Sequence, residues 1–583
     1  MNISIKGFNW EPVSAETNDI NQIINKFGIS EILARLLSTR DIGIERIDNF
    51  LNPTLRQNLP DPFHILDMEK AADIISDAII NNEKIVIFGD YDVDGATSSA
   101  LLKRFFTMLK IEAEIYIPDR IEEGYGPNIN AFASLKQNGA NLIITVDCGT
   151  SSFEAINYGI ESDLKIIIID HHLSGDILPS AHAIVNPNRK DETTIYKSLA
   201  AVGVAFLAAI ATTTKLRQKA FFQDKPEPEL IKLLDIVAIG TICDVVPLDE
   251  LNRTFVYQGL KILNKKENNA VKAFCNLLNI ENCLTVYHLG YVIGPRINAG
   301  GRVGESSLGA RLLSTEDLDE AIEIAKKLDH YNEERKAIEF IVYEQALEQA
   351  RNQHNEDSLI LVGGENWHPG VVGIVAGRLK DIMQKPVAVL SLNETYGKAS
   401  CRSIHGIDFG SAVVAAKDAG ILLSGGGHKM AAGFTVEHNK IDHLKKFLHD
   451  RFVEELKIIE NKNTRYFDAC LSVNSINLAL AKEIEQIGPF GVSNHEPRFI
   501  IKNAFIAKVN IFGESHITCF IGCSESKNLS SLLKVNAFRA IDTDLGNHLL
   551  KTGNVLDIIG YLRINRWKGR ETPEFIIEDV IPT

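Results

Sequence analysis

The chain lacks an apolar run long enough to span a membrane. Its longest apolar stretch, residues 199–211 (LAAVGVAFLAAIA), is shorter than the roughly 20 residues that a membrane-spanning helix needs, and we predict a buried helix there. The N-terminus (MNISIKGFNWEPVS) has no apolar segment behind a basic one, so it does not resemble a secretion signal. We therefore expect a cytoplasmic protein.

Cysteine is scarce and scattered. Eight cysteines in 583 residues form no paired framework, which argues against a disulfide-stapled fold and predicts reduced thiols. Cys519 and Cys523 are spaced like half of a zinc site, but no second pair of ligands completes it. We interpret Cys148 and Cys243 as small buried residues, with binding of a soft metal or attack on phosphorus as the alternative roles.

Positive charge is in deficit. The chain has 61 Lys and Arg against 76 Asp and Glu, which gives a net charge of -15, whereas nucleic-acid binding usually needs a basic surface. A site that holds divalent cations can nevertheless bind phosphate through the metals despite a cluster of Asp. The charge therefore leaves the partner open. Length and a hydrophobic content of 45% predict a globular protein of about three or four domains.

Residues 83–170 repeat a short β-branched run, a polar stop and a stretch with helical spacing. Such runs predict a parallel sheet covered on both faces by helices. They are KIVIF (84–88), AEIYI (113–117), NLIITV (141–146) and KIIII (165–169). Ligands bind beyond the carboxyl ends of such strands, and the stops GDYDVDG, PDR, DCGT and DHH fall there. A further apolar segment, 233–242, ends near Asp244, which we place at the same edge.

Carboxylates and imidazoles gather at this edge. Asp90, Asp92 and Asp94 alternate directly after a strand, so in an extended segment they point the same way. They repel one another unless cations lie between them; a solvated acidic loop or a calcium loop is the alternative. The same edge receives Asp147, Asp170, His171, His172 and Asp244. Mixed carboxylate and imidazole ligands suit manganese, iron or zinc, and the set favours a binuclear metallophosphoesterase.

Six ordered motifs resemble those of the DHH/DHHA1 phosphoesterases, and within them the RecJ-type single-strand-specific DNA exonucleases. They are GDYDVDG, VDCG, DHH, GTICDVVPL, GPRINAGGR and SGGGHKMAAG. The resemblance implies an α/β fold: a DHH phosphoesterase domain with a parallel sheet, joined by a long helix to a smaller α/β DHHA1 domain, plus a C-terminal OB-type β-barrel. It also implies hydrolysis of single-stranded DNA to mononucleotides from the 5′ end, in DNA repair and recombination, with two Mn²⁺ or Mg²⁺ ions.

The resemblance also assigns roles to residues at the metal site. It implies that Asp147 bridges the two ions, that His172 faces the scissile phosphate, and that Asp170 orients an imidazole through its other nitrogen. Related phosphatases have a histidine just before the first motif, where Phe88 and Gly89 stand here, so fewer nitrogen ligands are implied. The implied metal ligands are Asp90, Asp92, Asp94, Asp147, His171 and Asp244.

The motif GPRINAGGR supplies candidate phosphate contacts. Arg296 and Arg302 carry forked donors that match phosphate oxygens, and Asn298 stands between them among flexible glycines. An ordinary tight turn with two surface arginines is the alternative.

The second lobe supplies further candidates for substrate binding. Three consecutive glycines in SGGGH indicate close backbone approach, and the resemblance implies that this loop closes over the substrate with Ser424, Gly426 and His428. Arg402 and Arg378 are candidates for further phosphate contacts, although Arg378 is equally well interpreted as a charge on a helix surface.

The terminal barrel carries the stretch RINRWKGR, in which Arg563, Arg566, Lys568 and Arg570 flank Trp567. Basic groups can follow a phosphate backbone while an aromatic ring stacks on a base. A solvated hairpin edge with one exposed tryptophan is the alternative.

We divide the chain into an N-terminal segment (1–60), a DHH catalytic domain (61–310), a connector helix (311–355), a DHHA1 domain (356–462) and an OB-fold nucleic-acid-binding domain (463–583). We expect a monomer, with a helicase and a single-strand-binding protein as candidate partners. Two rival functions stay open: an enzyme that cleaves short oligonucleotides, cyclic dinucleotides or pyrophosphate, and a non-enzymatic DNA-binding relative. The barrel argues against the first rival and the complete set of metal candidates against the second.

Overall fold

The computed structural model describes residues 3–120, 123–353, 357–458, 464–523, 532–567 and 569–583. The predicted boundaries at 355/356 and 462/463 lie outside the described residues, as does Lys568. All eight cysteines are free, as predicted. Within the described ranges, none of the helices combines the length and the apolar character that crossing a bilayer requires.

The N-terminal segment packs against the C-terminal barrel. Its first strand pairs in parallel with residues 464–467, and the buried side chains of Ile23, Leu36 and Leu37 belong to the same apolar core as the barrel. Its elements are β1 (Asn9–Pro12), α1 (Thr17–Phe27), α2 (Glu31–Ser38), α3 (Ile47–Leu51) and α4 (Leu55–Asn58).

The first lobe is built on the predicted parallel sheet, which has the strand order β3-β2-β4-β5-β6. Its elements are α5 (Met68–Ile80), β2 (Ile85–Gly89), α6 (Val93–Met108), β3 (Ala113–Tyr116), α7 (Ile129–Gln137), β4 (Leu142–Val146), α8 (Phe153–Glu161), β5 (Lys165–Ile169), β6 (Ala183–Val185), α9 (Ala201–Gln218), α10 (Leu234–Cys243), α11 (Glu250–Leu263), α12 (Asn269–Leu277), a π-helical turn (His288–Ile293), α13 (Gly294–Val303) and α14 (Leu308–Ser314). Chain order reverses between β2 and β4, and such a switch point opens a crevice beyond the strand ends.

The apolar segment before Asp244 is a helix, so Asp244 follows the end of a helix and not, like the other acidic stops, the end of a strand. Helix α10 is buried along nearly its whole length. In a short apolar run that is buried on all sides, the pattern of residues does not distinguish a helix from a strand. A Cβ on Gly259 of α11 would lie 2.3 Å from the carbonyl oxygen of Leu234. This close helix contact is open only to glycine.

A long helix, α15 (Leu318–Arg351), connects the two lobes, as predicted. At a rise of about 1.5 Å per residue it is about 50 Å long. Ala321 and Leu328 pack into the catalytic core, whereas Val342 and Ala346 pack against the second lobe. The second lobe contains β7 (Ile360–Glu365), α16 (Val372–Met383), β8 (Val387–Leu392), β9 (Tyr396–Arg402), α17 (Phe409–Asp418), β10 (Ser424–His428), β11 (Ala431–Glu437) and α18 (Ile441–Ile458).

The C-terminal part forms the predicted barrel. Strands pair in the circular order β14-β15-β16-β18-β17 and back to β14, with β16 and β18 parallel and the other pairs antiparallel. This is the five-stranded arrangement of an OB-fold. The elements are β12 (Thr464–Phe467), β13 (Ala469–Leu471), α19 (Leu478–Glu485), β14 (Arg498–Phe512), β15 (His516–Cys523), β16 (Leu533–Ala537), α20 (Asp544–Leu549), β17 (Val555–Trp567) and β18 (Arg570–Pro582).

Candidate metal centre and phosphate cleft

The first acidic motif turns directly from β2 into helix α6. Asp92 is the N-cap residue, and its Oδ1 accepts hydrogen bonds from the backbone N–H groups of Asp94 (2.8 Å) and Gly95 (3.1 Å). A Cβ on Gly95 would lie 2.4 Å from the carbonyl oxygen of Asp90, so glycine permits this tight turn. The prediction that the three carboxylates alternate along an extended segment is therefore wrong, although Asp90 and Asp92 still approach one another.

Asp94 is fixed by the N-terminus of another helix. Its two carboxylate oxygens accept hydrogen bonds from the N–H groups of Ala201 (2.6 Å) and Val202 (3.0 Å) at the start of α9. Unpaired N–H groups at a helix N-terminus favour an anion. The apolar segment 199–211 thus positions a candidate ligand as well as filling the core.

His171 lies among three carboxylates. Its Nε2 is 3.3 Å from Asp147 Oδ1, 3.7 Å from Asp244 Oδ2 and 3.8 Å from Asp94 Oδ2. Burial, together with the neighbouring His172, lowers the pKa of His171 to about 4. The imidazole is therefore neutral at pH 7, which is the form that binds a metal ion.

Asp170 supports His172. Its Oδ1 is 2.8 Å from His172 Nδ1 and accepts backbone hydrogen bonds from His171 (2.8 Å) and His172 (3.2 Å), while Oδ2 accepts one from Thr150 (3.1 Å). Burial disfavours the Asp170 carboxylate, but these hydrogen bonds outweigh it and lower the pKa. Burial by itself lowers the pKa of His172. The hydrogen bond with Asp170 outweighs this effect and raises the pKa of His172 to about 9.

Several buried oxygen atoms in this cluster have no hydrogen-bond donor among the described residues. They are Oδ1 of Asp90, Oδ1 of Asp147 and Oδ2 of Asp244. Burial, followed by neighbouring negative charge, raises the pKa of Asp90 to about 8 and that of Asp244 to about 9. Buried carboxylates without donors are expensive, and divalent cations would satisfy them.

Three overlapping groups of side chains fit metal coordination, with ligand atoms within 4.8 Å of one another in each group. Asp147 belongs to two of them and has a left-handed backbone (φ 60°) after β4, which turns its side chain into the centre. The groups are Asp90, Asp92 and Asp147; Asp147, His171 and His172; and Asp94, His171 and Asp244. The cluster has enough ligand groups for two ions, and Asp147 is common to two of the three groups.

Of the two cysteines next to this cluster, Cys148 is buried, as predicted, whereas Cys243 is only half-buried. Burial raises the pKa of Cys148 and of Cys243 above the usual value, so both are protonated and poor nucleophiles. In the described part of the chain, the groups suited to metal binding contain no cysteine. Cys519 is buried and directs its Sγ at the carbonyl oxygen of Leu549, 3.7 Å away.

Three family profiles match the chain in order: "DHH family, N-terminal domain" at residues 84–241, "DHHA1 domain" at 356–454 and "RecJ OB domain" at 467–579. The single-stranded-DNA-specific exonuclease RecJ of Bacillus subtilis is 33% identical over 98% of this chain and 70% of its own length. RecJ of Escherichia coli is 33% identical over 88% of this chain and 90% of its own length. The chain belongs to the RecJ family.

Solved RecJ structures agree with the fold. RecJ of Thermus thermophilus in complex with Mn²⁺ has a TM-score of 0.81 and covers 99% of this chain at 24% sequence identity, and the match covers 80% of that protein. A manganese-bound exonuclease RecJ has a TM-score of 0.58 at 29% identity, over 68% of this chain and 98% of that one. The Asp and His cluster here supplies ligands that suit such an ion.

A cluster of arginines lies beside the metal centre. Burial, followed by the nearby positive charges of Arg120, Arg335 and Arg402, lowers the pKa of Arg302 to about 10, and Asp92 opposes this effect. In the described part of the chain, Arg120, Arg302 and Arg402 make no ion pair with a carboxylate. Arg302 also donates a hydrogen bond (2.8 Å) to the carbonyl oxygen of Gly370 in the second lobe. In this RecJ-family chain, cationic groups therefore line the cleft between the lobes.

The remaining candidates of GPRINAGGR lie on helix α13, so the glycines that we expected to be flexible are helical, and the alternative of a tight turn is wrong. The glycines allow close packing, since a Cβ on Gly301 would lie 2.5 Å from the carbonyl oxygen of Tyr91. Arg296 is ion-paired with Asp329 (2.8 Å), which neutralises it. Asn298 is half-buried on the same helix.

The SGGGH motif is a strand rather than a loop. Ser424 and His428 are exposed on β10, an edge strand that pairs with β11, and a Cβ on Gly426 would meet open space. Gly427 has a φ of 149°, and a Cβ there would lie 2.4 Å from Ala432. This glycine thus allows the tight hairpin. Neither side chain touches the arginine cluster through a described hydrogen bond.

Arg378 and the barrel hairpin are engaged in ion pairs. Arg378 is paired with Glu339 of the connector helix (2.8 Å), so it is not a simple surface charge. Arg563 is paired with Glu496 (2.6 Å) and Arg566 with Glu485 (2.7 Å). Trp567 is 68% exposed, and Arg570 is exposed beside it. Much of the hairpin's positive charge is thus neutralised within the protein.

Sequence reasoning placed Arg120 at this edge of the sheet, in the stop PDR after β3, but did not name it as a phosphate contact. It missed Tyr125 altogether. The guanidinium of Arg120 lies 4.9 Å from the ring centroid of Tyr91. Tyr125 donates a hydrogen bond (3.3 Å) to the carbonyl oxygen of Asp147 and its ring contacts that of His172. No pattern in the sequence indicates this contact.

Proposed function

We propose that this chain is a metal-dependent exonuclease that hydrolyses the phosphodiester bonds of single-stranded DNA from the 5′ end and releases mononucleotides, in DNA repair and recombination. The observation that carries the proposal is the juxtaposition of the carboxylate and imidazole cluster with the arginines of the cleft. The 5′ polarity rests on the resemblance of the motifs to RecJ-type enzymes.

Two sets of residues would hold the ions. Asp90, Asp92 and Asp147 would hold one, and Asp94, His171 and Asp244 the other, with Asp147 shared. Two bound Mn²⁺ or Mg²⁺ ions supply a hydroxide near neutral pH and stabilise the attacking and leaving oxygens of the displacement.

The protein residues bind and orient the phosphate. His172 is held protonated by Asp170 and is able to donate a hydrogen bond to a phosphate oxygen. Arg302 and Arg402 offer guanidinium forks with no carboxylate partner in the described ranges, so they remain available to a phosphate. These groups orient the terminal nucleotide toward the metal ligands.

Contacts between the lobes support a preference for single strands. The carbonyl oxygen of Gly370 accepts a hydrogen bond from Arg302, and a Cβ on Gly370 would lie 2.5 Å from the carbonyl oxygen of Arg302. The lobes therefore touch beside the metal centre. A cleft closed in this way admits one strand more easily than a duplex.

We further propose that the protein acts as a monomer in the cytoplasm, together with a helicase and a single-strand-binding protein. An enzyme that accepts only single strands needs a separate reaction that opens the duplex, which a helicase supplies. The domain division given above is likewise part of this proposal.

End-labelled substrates test the proposal. The purified chain is incubated with Mn²⁺ and with single- or double-stranded DNA labelled at the 5′ or 3′ end. We expect labelled mononucleotide to appear first from the 5′ label on single strands. Release from the 3′ label first, or equal attack on blunt duplexes, would refute the proposal.

A further inference from the structure

A continuous helical segment leads away from the phosphate cleft. The π-helical turn His288–Ile293, which contains Tyr291, runs directly into α13. Asn298 and Arg302 are four residues apart, on one face of α13. Arg302 lies in the arginine cluster, and Tyr291 is 11 residues away, or about 16 Å along the axis.

This helix packs against the element that presents Asp244. The Sγ of Cys243 lies 3.4 Å from the carbonyl oxygen of Leu289, and a Cβ on Gly294 would lie 2.5 Å from the same sulfur. A Cβ on Gly290 would lie 3.5 Å from Ile242. The end of the helix that bears the tyrosines is therefore held beside the last turn of α10, one residue before Asp244.

Two tyrosines on this helix are stacked on each other in solvent. The rings of Tyr287 and Tyr291 have centroids 5.4 Å apart and an interplanar angle of 26°. Tyr287 is 59% exposed and Tyr291 is 74% exposed. Neither hydroxyl has a hydrogen-bond partner in the described ranges, so the pair is not explained by the core or by a polar network. Exposed aromatic surface of this kind commonly marks a binding site.

The same segment reaches the barrel. Asn282, five residues before Tyr287, donates a hydrogen bond (2.9 Å) to the carbonyl oxygen of Arg566, and Trp567 is the next residue of that hairpin. The tyrosine pair thus lies on a segment that links the metal centre to the barrel hairpin.

We propose that Tyr287 and Tyr291 form a stacking platform for the nucleobases of the single strand downstream of the cleaved bond. The proposal rests on the proposed exonuclease function and names a binding subsite for it. At about 3.4 Å per stacked nucleotide, a distance of about 16 Å from Arg302 corresponds to about five nucleotides, so the platform would receive bases up to about the fifth nucleotide. Base stacking on an aromatic ring tolerates every sequence, as a general exonuclease requires.

Kinetics on strands of two lengths test the platform in the full-length protein with Mn²⁺. For the double variant Tyr287→Ala with Tyr291→Ala, we expect KM for a 12-nucleotide strand to rise at least about tenfold, the scale of one lost stacked base. We expect kcat on that strand, and both constants on a dinucleotide, to stay within about twofold of the wild type, because a dinucleotide does not reach the rings.

Matched variants and substrates separate stacking from damage to the fold. Tyr287→Phe with Tyr291→Phe keeps both rings and should retain the wild-type KM, as should Tyr466→Ala, which removes an exposed tyrosine of β12. Abasic residues at nucleotides three to five should raise KM for the wild type and remove its advantage over the double alanine variant.

Two results would overturn the platform: an unchanged KM of the alanine variant on the long strand, or an equal loss on the dinucleotide. Failure of the wild type to degrade any single strand would instead refute the proposed function itself.

Discussion

Nδ1 of His172 lies 2.8 Å from Oδ1 of Asp170, and the same oxygen accepts the backbone N–H groups of both histidines. One carboxylate therefore fixes the backbone turn after β5 and the protonation of His172. The neighbouring His171 remains neutral among the carboxylates. Of the two adjacent histidines, His172 is thus protonated, which suits a phosphate contact, and His171 is neutral, which suits a metal ligand.

We predict that Asp170→Asn lowers kcat by about 10- to 100-fold, the scale of one lost hydrogen bond to a charged group, because His172 would no longer donate to the phosphate as a cation. The amide cannot hold His172 protonated as the carboxylate does. The pH profile of kcat checks this cause, because the variant should lose activity at a lower pH than the wild type. Asp176→Asn, on an exposed carboxylate, is the matched control and should leave the profile unchanged.

Asp147→Asn should abolish hydrolysis, by about 10³-fold or more, the scale on which removal of an essential catalytic group acts. The substitution is nearly isosteric, so the thermal unfolding midpoint and much of the single-strand binding should persist. Rates and anisotropy with a fluorescent strand measure the two effects. Near-normal rates at saturating Mn²⁺ would contradict the metal assignment.

The metal-free protein should lose stability as pH rises. Burial and mutual repulsion raise the pKa of Asp90, Asp94 and Asp244 to about 8, 7 and 9, against about 3.9 in the unfolded chain. Between pH 4 and 9 the folded state therefore binds more protons than the unfolded state, so the free energy of unfolding falls as pH rises. Thermal melts in EDTA should show this fall.

Two comparisons test whether the metal cluster causes that fall. Saturation with Mn²⁺ should remove most of it, because the cations replace the protons. Asp90→Asn should reduce it in the metal-free protein. An identical fall in all three samples would place its cause elsewhere in the chain.

The barrel should contribute to binding of long strands. A groove of about 1160 Å³ lies on its surface and is lined in part by Phe520, Lys534 and Phe538. Phe538→Ala with Lys534→Ala should weaken binding of a 20-nucleotide strand by about tenfold, because a stacking ring and a cation are lost. Cleavage of a dinucleotide should be unaffected; equal losses on both substrates would indicate a structural role.

The parallel sheet was predictable because its strands are short, continuous apolar runs that end in polar stops. The strand ends at Asp90, Asp147 and Asp170 follow from that pattern alone. Helix α10 was not predictable as a helix, because an apolar run buried on every side has no amphipathic period to reveal its type.

The other errors come from contacts between distant residues. We expected Gly301 to be flexible, but it is helical and allows α13 to pack on Tyr91. Arg378 looked like a phosphate contact or a surface charge, but it is paired with Glu339 on another element. The sequence around Ile23 does not indicate that this side chain packs against the barrel, whose residues lie more than 400 positions later in the chain.

The most direct test of the central claim is a crystal structure with Mn²⁺ and a non-hydrolysable single strand that carries a 5′ phosphate. We predict two anomalous peaks, one at Asp90, Asp92 and Asp147 and one at Asp94, His171 and Asp244, with the 5′ end of the strand facing Arg302. A strand bound with its 3′ end at Arg302, or manganese bound away from Asp147, would contradict the account.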